Sequence, residues 1–262
     1  MPPSQAERAE AFRALHEGDP FVIPNPWDAG SARVLESLGA VALATTSGGF
    51  ALTFGRRDGQ TSIDEVAEHV RSLAAVTSLP VSVDLENGYG SRPEDAATAI
   101  ARVAEAGAAG GSIEDWDPSG ELYPIDHAAE RIAAAAEAAR ASDSAFVLTG
   151  RAENHIRGNP DLDDTIARLR AYEEAGADVL YAPGLRSVDE VRRVCEAVAR
   201  PVNVLAHPGF ANVGEIAEAG AQRISVGGAL AYVAYGAMAA AAGELLGGGD
   251  LSVLKPQARI EL

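Results

Sequence analysis

The chain is short of lysine and cysteine, and each shortage excludes a class of catalyst. Lys255 is the only lysine in 262 residues, and it lies close to the C-terminal end. Schiff-base aldolases, pyridoxal enzymes and GxxxxGKS/T phosphate loops all need a lysine in the pocket, so none of them is expected. Cys195 is the only cysteine, which excludes an internal disulfide and a thiolate metal cluster and indicates a reducing, cytoplasmic location.

Basic residues are also scarce, and long apolar runs are missing. Lysine and arginine total 21 against 38 acidic residues, which gives a formal net charge of -17. Such a surface repels nucleic acid and anionic lipid, so we expect neither as a partner. Residues 1–10 are polar and predict no signal peptide. The most apolar stretch, residues 229–246, is rich in alanine and carries Glu244, which predicts a packed helix and no membrane span.

A repeated unit organises the chain, in which a glycine ends a helix-length segment and a short apolar run follows. Gly39, Gly107, Gly176 and Gly220 occupy this position in four units. Such a glycine is typical of a helix end that precedes a strand. With four further apolar runs, the predicted strands cover residues 21–23, 41–45, 81–83, 110–114, 146–149, 178–181, 202–205 and 223–226.

Eight short strands that alternate with helices predict an α/β fold, a (β/α)8 TIM-type barrel. We expect one domain over residues 1–262, with a short N-terminal helix and a C-terminal tail. A doubly wound sheet is the alternative, but it needs a glycine fingerprint after the first strand, where residues 24–28 read Pro-Asn-Pro-Trp-Asp. We expect His16 and His69 on the solvent faces of their helices.

Charged residues follow three successive predicted strands, at the end of the barrel where such enzymes have their active sites. Asp84 and Glu86 follow the third strand, Glu114 ends the fourth and Arg151 follows the fifth. Several carboxylates, no nearby cysteine and few histidines predict a hard cation with oxygen ligands, Mg²⁺. We therefore predict Asp84, Glu86 and Glu114 as the metal site.

Groups that would bind an anionic substrate surround this cluster. Residues 47–49, Ser-Gly-Gly, allow backbone N–H groups to approach an anion, although the same residues also suit a tight turn. Arg151 either holds a carboxylate with two hydrogen bonds or pairs structurally with Glu153. A Mg²⁺ ion with two open positions would take the carboxylate and the 2-oxo oxygen of a keto acid and stabilise an enolate. The predicted substrate-binding residues are Trp27, Ser47, Gly48, Gly49, Arg151 and Asn203.

Five ordered motifs resemble the isocitrate lyase/phosphoenolpyruvate mutase superfamily, and the resemblance spans roughly residues 20–240. The motifs are residues 25–32 (NPWDAGSA), 45–49 (TTSGG), 55–58 (GRRD), 83–90 (VDLENGYG) and 112–115 (SIED). The resemblance implies a modified barrel whose last helix is exchanged between paired subunits of a homotetramer, a dimer of dimers.

The resemblance also assigns roles to individual residues. It implies that Asp84 binds Mg²⁺ directly, while Asp58, Glu86 and Glu114 hold the water molecules of the ion. It implies that residues 47–49 bind the substrate carboxylate, with Trp27 in the pocket wall. Asp58 is suggested by the resemblance alone. The catalytic residues expected on this basis are Asp58, Glu114 and Arg151.

The chain departs from the best-known members of that superfamily after the fourth strand. Residues 115–124 (DWDPSGELYP) contain neither the Lys/Arg-Cys-Gly-His loop of the isocitrate and methylisocitrate lyases nor the lysine of the phosphonate enzymes. Asp115, Asp117 and Glu121 instead predict an acidic lid, which would repel a phosphonate.

These features predict a Mg²⁺-dependent lyase that acts on small 2-oxo or 2-hydroxy carboxylates. The enzyme would cleave a C–C bond through a pyruvate enolate, as in oxaloacetate decarboxylation or retro-aldol cleavage. One alternative is P–C bond chemistry on phosphonopyruvate. Another is a non-catalytic protein that binds 2-oxo acids and keeps the metal site.

Overall fold

The structure is a computed structural model that describes residues 3–249 and 251–255. Most of the predicted C-terminal tail, residues 250 and 256–262, lies outside the described residues. The strands are β1 (Phe21–Ile23), β2 (Leu43–Ala44), β3 (Val81–Asp84), β4 (Gly110–Glu114), β5 (Trp116–Asp117), β6 (Glu121–Leu122), β7 (Val147–Arg151), β8 (Val179–Tyr181), β9 (Val202–Leu205) and β10 (Arg223–Ser225).

Eight of these strands form one parallel sheet that curves into a barrel. Their order is β1-β10-β9-β8-β7-β4-β3-β2, while β5 and β6 form a separate antiparallel hairpin. The N–H of Ala44 donates to the carbonyl of Pro24 at 3.1 Å, which joins the two end strands of the sheet. The barrel is therefore nearly closed, as predicted, and the doubly wound alternative is excluded. Only Leu43 and Ala44 of the predicted second strand pair with β3.

Helices follow the strands around the barrel. Four of them begin with a reciprocal capping box, in which a side chain at the start and one three residues later exchange hydrogen bonds with the backbone. The α-helices in the described part of the chain are α1 (Gln5–Leu15), α2 (Ala29–Ser37), α3 (Ser47–Thr53), α4 (Ile63–Ala74), α5 (Pro93–Glu105), α6 (Ile125–Ala141), α7 (Leu162–Glu174), α8 (Val188–Ala197), α9 (Val213–Glu218) and α10 (Ala229–Gly248).

The four glycines of the sequence repeat end helices, as predicted. Gly39, Gly107, Gly176 and Gly220 have φ angles of +89°, +105°, +103° and +106°, in the left-handed region that favours glycine. They follow α2, α5, α7 and α9, and each is followed within a few residues by a strand. The repeat visible in the sequence is thus the helix-to-strand turn of the barrel.

The helix α1 covers the amino ends of the strands, and it changes the expectation for one histidine. Phe12 on α1 is buried against Phe21 and Val147, the first residues of two strands. His16, predicted at the surface, is only 9% exposed, and its Nδ1 lies 2.8 Å from the carbonyl oxygen of Phe12. The expectation is wrong because α1 packs across the barrel end and turns this residue inward.

His69 also lies inside the protein and not at the surface. It is 6% exposed and stacks on Phe50, with 4.0 Å between the ring centroids. Burial lowers the pKa of His69 to about 4. The ring is therefore neutral and fits an apolar contact between α3 and α4, which the pattern of α4 alone did not reveal.

The last helix, α10, extends away from the barrel wall. Ala231 is its only buried residue within the described range, and it lies beside Gly49. The exposed fractions of Tyr232, Val233 and Leu246 are 60%, 69% and 86%, so most of this helix does not pack against its own chain. The expected exchange of the helix between subunits stays a prediction. By length and composition α10 is long and apolar enough to cross a membrane, a test that some helices of soluble proteins also pass.

Candidate active site

A cavity of about 200 Å³ opens among the carboxyl ends of the barrel strands. Four of the predicted site residues do not line this cavity, namely Trp27, Gly49, Glu86 and Glu114. Asp58 follows α3 in a loop that brings its carboxylate beside Gly48, which the resemblance anticipated and the spacing of the strands did not. The predicted site residues that line the cavity are Ser47, Gly48, Asp58, Asp84, Arg151 and Asn203.

Asp84 lies at the centre of the site and is held from both sides. Its Oδ2 accepts hydrogen bonds from the hydroxyl of Ser47 at 3.0 Å and from the N–H of Ser47 at 3.2 Å. Its Oδ1 accepts from the N–H of Glu86 at 3.3 Å and lies 3.5 Å from Arg151 Nη1. Because Ser47 begins α3, the short helix after β2 fixes the orientation of the carboxylate at the end of β3.

Glu86 lies beside this carboxylate in an unfavourable environment for negative charge. Its backbone has φ +50°, and its Oε1 is buried without a hydrogen-bond partner. Burial, with the negative charges of Asp84 and Asp58, raises the pKa of Glu86 to about 7. A carboxylate cluster in which burial and like charges raise a pKa in this way is an environment that a cation would stabilise.

Arg151 contacts three carboxylates, at the ends of β3 and β4 and in the loop after β7. Its Nε lies 2.5 Å from Glu153, and its Nη1 lies 3.3 Å from Glu114 as well as near Asp84. These charges hold the pKa of Arg151 well above its usual range, so the guanidinium is permanently charged. The structural pairing with Glu153 is confirmed, and because Arg151 also lines the cavity, its binding of a substrate carboxylate stays a prediction.

Glu114, the third predicted metal-site residue, is 7% exposed and lies behind Arg151. Burial raises the pKa of this carboxyl well above its usual range, and the charge of Glu153 adds to the effect. Its backbone N–H donates to the carbonyl of Glu86 at 2.9 Å, which links the ends of β3 and β4. Glu114 and Glu86 are therefore neighbours, as the parallel strands predict.

Residues 47–49 form the first turn of α3 and not a free loop. Thr46 caps the helix, and its hydroxyl accepts the N–H of Gly49 at 3.3 Å. A Cβ on Gly49 would lie 3.1 Å from that of Trp27 and 3.3 Å from that of Ala231, so this glycine allows a close approach of three segments. Trp27 therefore packs behind the turn, and Ser47 and Gly48 are the members of the turn that face the cavity.

The donor set fits a cation that keeps most of its water. Among the residues that the structure describes, no three His, Cys, Asp or Glu side chains converge into a ready metal site. Asp84 and Asp58 are the two carboxylate residues among those that line the cavity. Mg²⁺ is commonly bound through one or two carboxylates and several waters, so these residues fit it.

Three residues near the site were missed by the sequence analysis. Tyr181 ends β8 and lines the cavity, and burial raises its pKa to about 12, so its hydroxyl remains protonated at neutral pH. Arg157 lies over the ring of Trp116 at 4.6 Å and pairs with Glu153 at 2.8 Å. Arg223 begins β10 and lines the cavity. Position after a strand points to Tyr181, but only the fold brings the two arginines close.

The predicted acidic lid is partly wrong. Asp115 is 2% exposed, and its Oδ2 lies 2.8 Å from Arg168 and 2.5 Å from the hydroxyl of Tyr172. It is therefore a buried anchor at the base of the β5–β6 hairpin. Asp117 remains on the hairpin, where Tyr123 donates to it at 2.7 Å. Arg157 adds a positive charge on this side, which the spacing of residues did not predict.

The raised pKa of Glu86 predicts how the metal-free protein responds to pH. A carboxyl whose pKa is about 7 in the folded protein, against an ordinary value of about 4.5, binds its proton more tightly in the folded state. Its contribution to the free energy of unfolding is therefore lost as pH rises from about 4.5 to about 7. We expect Glu86→Gln to lose less stability than the wild type between pH 5 and pH 8 in urea unfolding without metal.

The control for this prediction is Glu121→Gln, which changes an exposed glutamate on the hairpin. It is expected to keep the pH dependence of the wild type. Equal pH dependence in Glu86→Gln and the wild type would show that Glu86 ionises in the folded protein as it does in the unfolded chain.

Comparisons with known proteins agree with this geometry. The family model described as phosphoenolpyruvate phosphomutase matches residues 12–246. The chain is 31% identical to 2-methylisocitrate lyase of Escherichia coli (strain K12) over 205 residues, which cover 74% of this chain and 68% of that protein. It is 31% identical to oxaloacetate decarboxylase of Bradyrhizobium sp. (strain ORS 278) over 205 residues, with 74% and 69% covered.

Solved structures share the whole barrel. A protein of Burkholderia cenocepacia J2315, provisionally described as a lyase/mutase, superposes with a TM-score of 0.95 at 50% identity and covers 97% of this chain and 94% of its own. A phosphonopyruvate hydrolase solved with oxalate and Mg²⁺ has a TM-score of 0.85 over 98% and 93% of the chains, but at 22% identity it shows the fold alone. Since the family model spans all eight barrel strands, the chain belongs to the phosphoenolpyruvate phosphomutase family, within the isocitrate lyase/phosphoenolpyruvate mutase superfamily.

Proposed function

We propose that this chain is a Mg²⁺-dependent lyase that cleaves a C–C bond in a small 2-oxo carboxylate, with a four-carbon acid such as oxaloacetate as substrate. The observation that carries the proposal is the placement of Asp84 and Arg151 in one cavity, 3.5 Å apart. A hard-cation ligand beside a permanent guanidinium is the pair that a metal-chelating keto acid requires. The relatives named as a methylisocitrate lyase and an oxaloacetate decarboxylase support the C–C reaction class.

The metal would be held by Asp84, with Asp58, Glu86 and Glu114 around its waters. When bound, Mg²⁺ stabilises negative charge on the 2-oxo oxygen as the bond breaks. A bound divalent cation would account for two unfavourable features of Glu86. It would lower the raised pKa of this carboxyl, and one of its waters would donate a hydrogen bond to the buried Oε1.

The protein side chains would bind and orient the substrate. Arg151, kept charged and fixed by Glu153 and Glu114, would hold the carboxylate next to the 2-oxo group. Ser47 fixes Asp84, and Gly48 lets the substrate approach the first turn of α3 closely. Asn203, hydrogen-bonded to Ser225 at 3.0 Å, contributes a rigid polar wall.

Decarboxylation requires less of the lid than a retro-aldol cleavage does. The hairpin segment 115–124 contains no cysteine, histidine or lysine. Loss of carbon dioxide leaves an enolate that takes up one proton from water to give pyruvate, so the lid supplies neither an acid nor a base. A retro-aldol cleavage also leaves an enolate, but it must in addition transfer the proton of the substrate hydroxyl to a base, and the solvent-facing part of the hairpin offers only carboxylates for that role.

The expected result is Mg²⁺-dependent release of pyruvate from oxaloacetate or a related four-carbon keto acid. Pyruvate release is measured by a coupled assay. The control is the same mixture with Mg²⁺ and no protein, because the free ion also promotes this reaction. Chelation of the metal should abolish the protein-dependent rate. Binding of the keto acid by calorimetry, with no rate above the protein-free reaction, would favour the non-catalytic binding protein instead.

P–C bond chemistry on phosphonopyruvate is the second candidate, and Arg157 is the observation that favours it. This guanidinium lies over Trp116, the first residue of the hairpin, and 34% of its side chain is exposed. It pairs with Glu153, however, and Asp117 remains on the lid, so we expect no turnover of phosphonopyruvate. Release of phosphate or phosphoenolpyruvate above about 1 s⁻¹ would make this candidate the preferred function.

We further propose that α10 is covered by another copy of the chain, within a homotetramer in the cytoplasm. Its exposed residues include Tyr232, Val233, Met238 and Leu246, and an apolar surface of this kind is characteristic of an interface. Tyr232 also lines the cavity, so the start of the helix stays at the site of its own chain.

Sedimentation of the purified protein tests this assembly. We expect a species about four times the 27.0 kDa chain at micromolar concentration, without detergent. Leu246→Glu, which puts a charge on the exposed end of α10, should shift the protein toward smaller species, while Glu121→Gln should not. A stable monomer of the wild type would contradict the exchange of α10, and a requirement for detergent would favour a membrane contact.

A further inference from the structure

Arg223 is a buried cation whose contacts are all with neutral groups. It is 4% exposed, and its Nε donates to Asn203 Oδ1 at 2.9 Å. Its Nη2 donates to the hydroxyl of Thr149 at 3.0 Å, and its Nη1 lies 3.4 Å from His16 Nε2. Within the described residues no carboxylate pairs with this guanidinium, so its charge is solvated only by an amide, a hydroxyl and an imidazole.

The imidazole in this set is an acceptor and not a second charge. His16 Nδ1 lies 2.8 Å from the carbonyl oxygen of Phe12, so this nitrogen carries the hydrogen and Nε2 offers a lone pair to Arg223. Burial and the neighbouring arginine lower the pKa of His16 to about 3, and the ring is therefore neutral at physiological pH.

An isolated charge of this kind is unusual in a protein interior. Buried charges are normally paired, because desolvation is costly. Arg168 pairs with Asp115 at 2.8 Å and Arg151 pairs with Glu153 at 2.5 Å, in line with that rule. Arg131, which has no ion pair among the described residues, donates instead to three backbone carbonyls, an arrangement that Arg223 lacks. At Arg223 burial lowers the pKa to about 10, and only the phenol of Tyr181, not a carboxylate, partly offsets this effect. The free protein thus holds a positive charge without its counter-ion.

The charge is accessible from the active-site cavity. Arg223, Asn203 and Ser225 line the same cavity as Asp84 and Arg151. Thr149 precedes Arg151 by two residues in β7, so their side chains share one face and are about 7 Å apart along the strand. Because Arg223 binds Thr149, its guanidinium lies one layer below Arg151, toward the interior of the barrel.

We propose that the deep end of the cavity, at Arg223, is an anion subsite, separate from the carboxylate cluster at the rim. The anion is either the distal carboxylate of a short dicarboxylate substrate or a small free anion such as a halide, and both provide the negative charge that the guanidinium lacks. The subsite does not depend on the proposed lyase reaction, because the argument uses only the charge, burial and position of Arg223.

The test measures anion binding to the metal-free protein, in which the carboxylate rim does not attract anions. Calorimetry compares succinate, acetate and bromide on the wild type, on Arg223→Met and on Arg192→Met, which removes an arginine from an exposed position on α8. We expect saturable binding of succinate or bromide by the wild type and Arg192→Met, weakened at least tenfold in Arg223→Met.

The three ligands distinguish the source of the anion. Binding of succinate alone would identify a distal carboxylate, and binding of bromide alone or in competition with succinate would identify a free-anion site. Equal affinity in the wild type and Arg223→Met, or no saturable binding of any of them to the wild type, would overturn the proposal. If Arg223→Met does not fold, bromide is located in wild-type crystals by its anomalous signal. A bromide beside Arg223 would support the subsite, and a bromide bound only elsewhere would overturn it.

Discussion

Replacing Asp84 by alanine should abolish Mg²⁺ binding, and with it the metal-dependent release of pyruvate. Asp84 is the proposed direct ligand, and both of its oxygens are already oriented by Ser47, Glu86 and Arg151. In the proposed site the neighbouring carboxylates act through water, so Glu86→Ala and Glu114→Ala should weaken binding by only about 10–100-fold. Calorimetry above pH 7 measures these differences, because there Glu86, whose pKa is about 7, is mostly ionised.

Asp117→Ala is the matched control, since it removes an aspartate that Tyr123 holds on the hairpin, away from the cavity lining. It should bind Mg²⁺ as the wild type does. An unchanged affinity in Asp84→Ala would show that the metal site is assigned to the wrong residue, whatever the activity of the variant.

Replacing Asp115 by alanine should lower the free energy of unfolding by about 3–5 kcal/mol, because one partner of a buried ion pair is removed. Asp115 accepts from Arg168 and Tyr172 through Oδ2 and from the N–H of Glu153 at 2.8 Å through Oδ1. Its loss leaves the phenol of Tyr172 and the N–H of Glu153 without this acceptor and removes the more deeply buried of the two carboxylates that pair with Arg168. Urea unfolding of the metal-free protein at one pH measures the change.

Asp164→Ala tests whether the loss of stability in Asp115→Ala results from the burial of that ion pair and not from the loss of a negative charge alone. Asp164 contacts the same guanidinium, Arg168 Nε at 3.1 Å, but its side chain is 21% exposed, against 1% for Asp115. We expect this variant to lose about 1 kcal/mol or less, as do pairs nearer the surface. Similar losses in the two variants would contradict the anchoring role assigned to Asp115.

The sequence predicted the barrel because its signals are local. Glycines at helix ends and short apolar runs depend on neighbouring residues only, and all four repeat glycines have the expected left-handed backbone. The same logic extends to Asp84 and Arg151, since the carboxyl ends of parallel strands meet at one end of a barrel. The sequence therefore indicated both the fold and the charged pair at the centre of the site.

Contacts between remote segments were decided by the tertiary structure alone. Asp115 follows Glu114 directly in the sequence, and for that reason it was predicted in the lid. In the folded chain its side chain instead forms a buried ion pair with Arg168 of α7. Asp58 enters the cavity from a loop after α3, and no periodicity of strands predicts that. Arg157 reaches Trp116 across the gap between β7 and the hairpin.

What the sequence determined by itself is therefore the alternation of strands and helices, the acidic surface and the set of residues at the strand ends. Only the folded chain determines how deeply each charged side chain is buried and which partners it has. The position of Arg223 at the start of β10 does not distinguish it in the sequence from other polar residues. In the folded chain α1 and the barrel interior surround it with neutral acceptors. Burial and partner geometry set the energy of a charge, and both are properties of the three-dimensional arrangement.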